Sequence, residues 1–189
     1  MPFRFTPFPP LPRVILIDPP VYADERGWFA ERYKASEFAK NGIPDVFVQD
    51  NHSFSAKKGT LRGLHYQNPP MPQGKLVHVP QGEILDVVVD IRKGSPTFGR
   101  HVSTTLSAEN RCILWVPPGF LHGVLTLSDD TVVVYKVTSE FSKEHDRSIR
   151  WDDPALGIKW PLQDPNLSQK DREAPLLRDA DNQYEFEAS

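Results

Sequence analysis

The chain has a single cysteine, Cys112, among its 189 residues, which excludes an intrachain disulfide and leaves packing to hold the fold. The neighbours of Cys112, Ile113 and Leu114, point to a buried thiol rather than a reactive one, and a reducing cytoplasm fits that usage. Long apolar runs are missing. None approaches the roughly 20 residues needed to cross a bilayer, and the opening stretch Met1 to Pro10 is broken by prolines, so export and membrane insertion are disfavoured. Cationic clusters are missing too. The 22 Lys and Arg are scattered among 25 Asp and Glu, for a net charge of −3, and that balance gives no field for coating a polynucleotide. Long helical patterns are scarce. Nineteen prolines stand against eleven glycines, many at segment boundaries such as Pro44, Pro80, Pro96 and Pro117-Pro118, and they favour short strands joined by turns.

What is present reads as a mainly β chain. An apolar content of 39% in 189 residues fits one domain spanning 1–189, long enough to bury roughly two-thirds of its unfolded surface. Residues 1–13 form a proline-rich arm that runs extended toward a strand at Val14–Ile17 and is a candidate to reach a neighbouring subunit. Ser36 is placed to cap a short helix through Lys40, with Gly42 positioned to end it. In Glu83–Ile91 the odd positions are Leu, Val, Val and Ile, while the even ones mix Asp86 and Asp90 with Ile84 and Val88, so one face is buried. Alternation through Thr131–Thr138 puts Tyr135 on the face of Val133 and Val137, opposite Lys136, and therefore inward. Lys75 shares a face with Val77 and Val79, His122 with Phe120 and Val124, and Gln49 and Asn51 with Phe47. Several short strands without βαβ alternation indicate a sandwich or jelly-roll barrel. From about Trp151 the pattern weakens, so 151–189 is expected as a peripheral segment of loops and helical turns, frayed at 185–189.

Chemistry concentrates in Gly59-Thr60-Leu61-Arg62-Gly63-Leu64-His65-Tyr66-Gln67, in Gln73-Gly74-Lys75 and at Tyr135. Removal of a proton α to a carbonyl needs a positioned base, a cation or hydrogen-bond donor on the enolate oxygen, and an acid to return the proton. His65, Lys75 and Tyr135 can fill those roles. A carboxylate on the second nitrogen of His65 would orient the ring, but the local sequence names none. Arg26 and Arg62 suit phosphate oxygens. Strict alternation places Arg62 opposite His65, so both can reach one ligand only if the strand bends or bulges near Gly63. The run Trp115-Val116-Pro117-Pro118-Gly119-Phe120-Leu121-His122-Gly123 is similar to the second histidine motif of cupin barrels. Metal-binding cupins usually add His-x-His and Glu from an earlier motif, where this chain offers His65 alone, and two histidines fall short of a three-ligand site. No metal site is expected.

These motifs together resemble the dTDP-4-dehydrorhamnose 3,5-epimerase family. The resemblance runs through Asp24-Glu25-Arg26-Gly27, Phe47-Val48-Gln49-Asp50-Asn51-His52-Ser53, the His65 and Lys75 stretches, Gly94-Ser95-Pro96-Thr97-Phe98-Gly99, Leu106-Ser107-Ala108-Glu109-Asn110, Ile149-Arg150-Trp151-Asp152-Asp153-Pro154 and Ser168-Gln169-Lys170-Asp171. It implies a cupin-like jelly-roll antiparallel β-barrel with short helices and an irregular, partly helical C-terminal tail. It also implies cofactor-independent epimerisation at C3 and C5 of dTDP-4-dehydro-6-deoxy-D-glucose, in dTDP-L-rhamnose biosynthesis. By the same resemblance His65 is the base, Tyr135 the acid, Asp171 the carboxylate paired with His65, and Lys75 the cation facing the enolate. Arg26, Glu31, Gln49, Asn51, Arg62, His122, Asp146 and Lys170 would surround the nucleotide-sugar, with Arg26 entering from the other subunit of a homodimer.

The chain departs from the family pattern at Glu140-Phe141, where a tyrosine pair is common, at Asp146, where Glu is usual, and at His78, where Arg is common. These changes leave the proton-transfer residues in place but bear on how the ring is held. The alternatives are an epimerase or keto-isomerase inverting one carbon of another dTDP-keto-sugar, or a non-catalytic carbohydrate-binding jelly roll.

Overall fold

The computed structural model describes residues 2–187. In chain order the strands are β1 (Arg4–Phe8), β2 (Leu11–Asp18), β3 (Val21–Asp24), β4 (Gly27–Ala30), β5 (Gln49–Ser55), β6 (Leu61–Gln67), β7 (Lys75–Gln81), β8 (Glu83–Asp90), β9 (His101–Ser107), β10 (Ile113–Val116), β11 (Phe120–Thr126), β12 (Thr131–Val137) and β13 (Asp146–Ser148). The helices are α1 (Ala35–Lys40) and α2 (Gln169–Arg172). One sheet runs β1-β2-β10-β7-β12-β5, a second runs β13-β6-β11-β8-β9, and β3 and β4 pair apart as a hairpin. The two large sheets form a jelly-roll-like sandwich rather than a closed barrel.

Alternation along each strand explains the layering. Val77, Val79, Leu114 and Val133 of the first sheet meet Ile84, Val88, Val102, Leu106 and Val124 of the second in the central core. Where a segment covers the outer face the intervening residues are apolar as well, whereas His52 on β5 and Ser103 and Thr105 on β9 stay exposed. Outside the first sheet, Ile15, Ile17, Leu76, Ile113 and Trp115 pack under Phe38 of α1 and Ile43. Outside the second, Leu64, Tyr66, Val87, Val89 and Leu121 pack under Ile149, Leu156 and Tyr184 from the C-terminal segment. Gly82 turns β7 into β8 with φ +81°; a Cβ there would sit 2.5 Å from the Thr131 hydroxyl, so only glycine fits.

Several local expectations shift. The arm's strand begins at Leu11 rather than Val14, and Arg4–Phe8 pair with it inside the same chain; Phe3 and Phe5 pack edge-on against Phe38 at 5.5 and 5.3 Å. Helix α1 starts one residue before Ser36, with Lys34 at its N-cap and no side-chain cap, while Gly42 follows the C-cap with φ +85° as expected. Phe47 precedes β5 and packs with Tyr33 and Trp115 outside the first sheet, so it does not share the inner face of Gln49 and Asn51. The tail is tied down further than expected. Glu185 bridges to Lys93, and the Phe186 amide donates to the Lys93 carbonyl at 2.8 Å; residues 188–189 lie outside the described residues.

Candidate active site

Toward one end of the sandwich the inner faces turn from aliphatic to polar. Strand pairing sets the neighbours: His65 on β6 lies between His122 on β11 and Ser148 on β13, and across the sandwich Tyr135 on β12 pairs with Asn51 on β5 while Lys75 follows on β7. A cavity of about 480 Å³ opens here, within the range of small-molecule sites. His65, Arg62 and Leu61 line it from β6, Tyr135 and Ser53 from the opposite sheet, and Asn166 to Ser168 with Asp171 from the C-terminal segment.

Arg62 and His65 both line the cavity because β6 bulges. Against β11, Arg62 faces Val124 and His65 faces His122, so β6 carries one extra residue between them. Gly63 sits in that interval with φ +121°, and a Cβ on it would approach the His122 carbonyl oxygen to 2.7 Å. Glycine therefore permits the irregularity that brings guanidinium and imidazole to one ligand.

His65 Nε2 lies 2.5 Å from Asp171 Oδ1. The second oxygen of Asp171 accepts from Ser168 Oγ at 2.8 Å, and Ser168 Oγ in turn accepts the Asp171 amide at 3.1 Å, capping α2. Burial opposes ionisation of Asp171, but hydrogen bonds from His65, Ser168 and the Gly63 amide outweigh it and hold the carboxyl below its usual range. With Nε2–H donated to this carboxylate, Nδ1 is the basic nitrogen of His65, and it has no protein partner among the described residues.

The Tyr135 hydroxyl is likewise uncommitted among the described residues. Burial raises its pKa, partly countered by Arg62, so it stays a proton donor. Lys75 is 7% exposed; burial lowers its pKa to about 8, with Asp146 and Asp86 pulling the other way. Its ammonium forms no hydrogen bond or ion pair within the described residues. His122, also buried, directs Nε2 at both carboxylate oxygens of Asp86, 2.9 Å from each.

Of the expected residues, Arg62, His65, Tyr135 and Asp171 line the cavity, whereas Lys75, His122, Gln49, Asn51, Asp146 and Lys170 stand on the strands and segments around it. Gln49 donates to Asn51 at 2.8 Å and accepts the Phe141 amide at 2.9 Å, joining β5 to the segment beyond β12. Asp146 forms an ion pair with Lys170. Arg62 reaches back to the Phe54 carbonyl at 3.1 Å. Arg26 and Glu31 are not brought to the cavity by this chain: Arg26 sits at the tip of the β3–β4 hairpin, paired with Asp24 at 2.5 Å and 85% exposed, and Glu31 follows that hairpin outside the lining. Ser53, Thr60, Asn166 and Ser168 line the cavity without having been singled out in the sequence, although Ser168-x-x-Asp171 carries a readable capping signature. Among the described residues no three His, Cys, Asp or Glu side chains gather as a metal site. The Cys112 thiol is buried, and its pKa is pushed up to about 11, chiefly by burial.

The family model described as dTDP-4-dehydrorhamnose 3,5-epimerase matches residues 9–179. The chain belongs to that family. It is 52% identical over 173 residues to the dTDP-4-dehydrorhamnose 3,5-epimerase of Pseudomonas aeruginosa, covering 90% of this chain and 94% of that one. The Legionella pneumophila dTDP-6-deoxy-D-glucose-3,5-epimerase, solved in complex with dTDP-4-keto-L-rhamnose, superposes with a TM-score of 0.93 at 44% identity, covering 98% of this chain and 100% of that one. A 3'-monoepimerase from Streptomyces bikiniensis, in complex with dTDP-quinovose, superposes with a TM-score of 0.85 at 34% identity, covering 91% and 87%.

Proposed function

We propose that residues 1–189 act as one catalytic domain that epimerises dTDP-4-dehydro-6-deoxy-D-glucose at C3 and C5 to dTDP-4-dehydro-L-rhamnose, in dTDP-L-rhamnose biosynthesis in the cytoplasm. The observation that carries this reading is that His65, backed by Asp171, and Tyr135 line one cavity from opposite sheets. The C4 carbonyl acidifies the hydrogens at C5 and C3. His65 Nδ1 removes each from one face of the ring, the Lys75 ammonium stabilises the enolate oxygen, and the Tyr135 hydroxyl delivers a proton to the other face. Since the intermediate is a planar enolate, inversion follows without an oxidation step, and the route calls on no cofactor or metal. Gln49, Asn51, Arg62, His122, Asp146 and Lys170 are assigned to the nucleotide-sugar.

Arg26 and Glu31 fit this scheme if two copies associate. The hairpin that carries Arg26 leaves Tyr22, Trp28 and Phe29 at least half exposed, an apolar surface that suits burial against a second copy. We therefore assign the active form to a homodimer in which the hairpin of one protomer completes the cavity of its partner.

The test is incubation with dTDP-4-keto-6-deoxyglucose in deuterated water, with C3 and C5 followed by NMR. Deuterium at both carbons with both centres inverted is the expected result. A second reading, inversion at a single carbon, is favoured by the likeness to the Streptomyces bikiniensis 3'-monoepimerase together with Phe141 and Asp146; deuterium at one carbon alone selects it. No exchange at either carbon rejects both.

A further inference from the structure

The scheme above leaves the wholly buried carboxylate of Asp86 unexplained. Asp86 is 0% exposed and stands on β8 between Ile84 and Val88, on the face turned into the sandwich. An ionised carboxylate in such a place is retained only when it is paired. Its partner is His122, whose Nε2 is 2.9 Å from both oxygens. His122 in turn is the direct cross-strand neighbour of His65. Two histidine–carboxylate pairs therefore lie side by side on one inner face. Asp171 approaches the first from the C-terminal segment, and Asp86 approaches the second from the core.

We infer that Asp86 is a positioning residue for the epimerisation: it fixes the His122 ring through Nε2, leaving Nδ1 for the substrate, and supplies the fixed negative charge that keeps the Lys75 ammonium charged. The inference rests on the epimerase reading for its catalytic consequence, though not for its geometry. His122 Nδ1, like Lys75 Nζ, has no protein hydrogen bond among the described residues, so both are free to meet a ligand. The ionisable groups turned inward around Lys75 are Tyr135 on β12, His65 on β6, His122 on β11, Asp86 on β8 and Asp146 on β13. Only two of these are carboxylates, and Asp146 is already in an ion pair with Lys170. Burial is the larger influence on Lys75 and lowers its pKa to about 8, while Asp146 and Asp86 both act to raise it. With one of the two carboxylates neutralised, the ammonium loses its proton closer to neutrality, and the enolate oxygen loses its cation.

The test is Asp86→Asn, which keeps the shape and removes the charge. Lys75 titration is read without turnover, by pH-dependent acetic anhydride labelling and mass spectrometry of the dimeric protein. We expect its midpoint to fall by about one pH unit or more. The alkaline limb of kcat should move down by the same amount, so that activity drops about fivefold or more at pH 8 and much less at pH 6.5, with KM little changed. A Lys75 midpoint equal to that of the unsubstituted protein, or a uniform loss of kcat at every pH, overturns the inference. Should Asp86→Asn fail to fold, histidine ¹⁵N spectra of the unsubstituted protein decide. His122 Nε2 must carry a proton throughout the working pH range, and an unprotonated Nε2 overturns the assignment. Labelling and spectra need no substrate, so they stand even if the deuterium experiment rejects the epimerase reading.

Discussion

His65 Nε2 and Asp171 Oδ1 lie 2.5 Å apart although 106 positions separate them in the chain. Asp171 reaches the imidazole because α2 is capped by Ser168, whose hydroxyl bonds both the amide and the carboxylate of Asp171. In the proposed mechanism the carboxylate orients the ring and stabilises the imidazolium formed when carbon gives up its proton. Asp171→Asn should lower kcat about 10²-fold or more, and Ser168→Ala should cause a smaller loss by loosening the same carboxylate. Both are checked by NMR progress curves. Wild-type kcat in Asp171→Asn would remove Asp171 from the mechanism.

Tyr135 is separable from His65 by stereochemistry. In the proposed scheme, with Tyr135→Phe the base His65 can still take a proton and return solvent deuterium to the face it came from. We expect isotope incorporation with retained configuration, and inversion slowed about 10²-fold or more. His65→Ala should instead abolish incorporation itself. Equal loss of exchange and inversion in Tyr135→Phe would place the phenol outside the reprotonation step.

The parts of this site that follow strand alternation were legible in the sequence. Val77 and Val79 declare the direction of Lys75, Val133 and Val137 that of Tyr135, and Phe120 and Val124 that of His122, because side chains two apart share a face. Arg62 was not legible in that way. Its face depends on an extra residue in β6 relative to β11, and a glycine permits such a bulge without announcing it. Asp171 could be named only through family resemblance, since no local pattern links it to His65, and Asp86 reads locally as a stray carboxylate in an apolar strand. Phe47 misled for a related reason. It obeys the alternation of β5 but lies before the strand starts, where Tyr33 and Trp115 offer more apolar contact than the cavity does.

Phe38 tests how far the short α1 contributes to the fold. It is 0% exposed and meets the rings of Phe3, Phe5 and Tyr33 at 5.5, 5.3 and 4.8 Å, so it ties α1 to the outer face of the first sheet at the N-terminal hairpin. Truncation leaves a cavity that Phe5 cannot fill without leaving β1. Phe38→Ala should cost about 3–5 kcal/mol in urea unfolding. A loss below about 1 kcal/mol would mean that the hairpin and helix repack independently of this side chain.

The pH dependence should be set on its alkaline side by Lys75. Burial holds its folded pKa near 8 rather than 10.5, so the ammonium is present below that value and lost as pH rises through it. The enolate role proposed for Lys75 needs the charged form, hence kcat should fall as pH passes about 8. Lys75→Arg, which stays charged over this range, should lose that limb even if its absolute rate is lower. An alkaline limb that persists unchanged in Lys75→Arg would assign it to another group.

Arg26 makes the dimer testable by mixing chains. Within one protomer it is 85% exposed, held by an exposed pair with Asp24 and outside the cavity lining; such a pair contributes little stability and is readily exchanged for a phosphate. If the hairpin serves the partner's cavity, Arg26→Ala and His65→Ala each spoil every site of their own homodimer. In a heterodimer of the two, one cavity keeps His65 and receives an intact Arg26, while the other loses both. Random reassociation of equal amounts should therefore restore about a quarter of wild-type activity, since half the dimers are mixed and half of their sites are whole. If Arg26 acted within its own chain, no mixed dimer would contain a site with both residues, and activity would stay at the mean of the two variants. Sedimentation of each variant as a dimer, followed by this assay, decides between them.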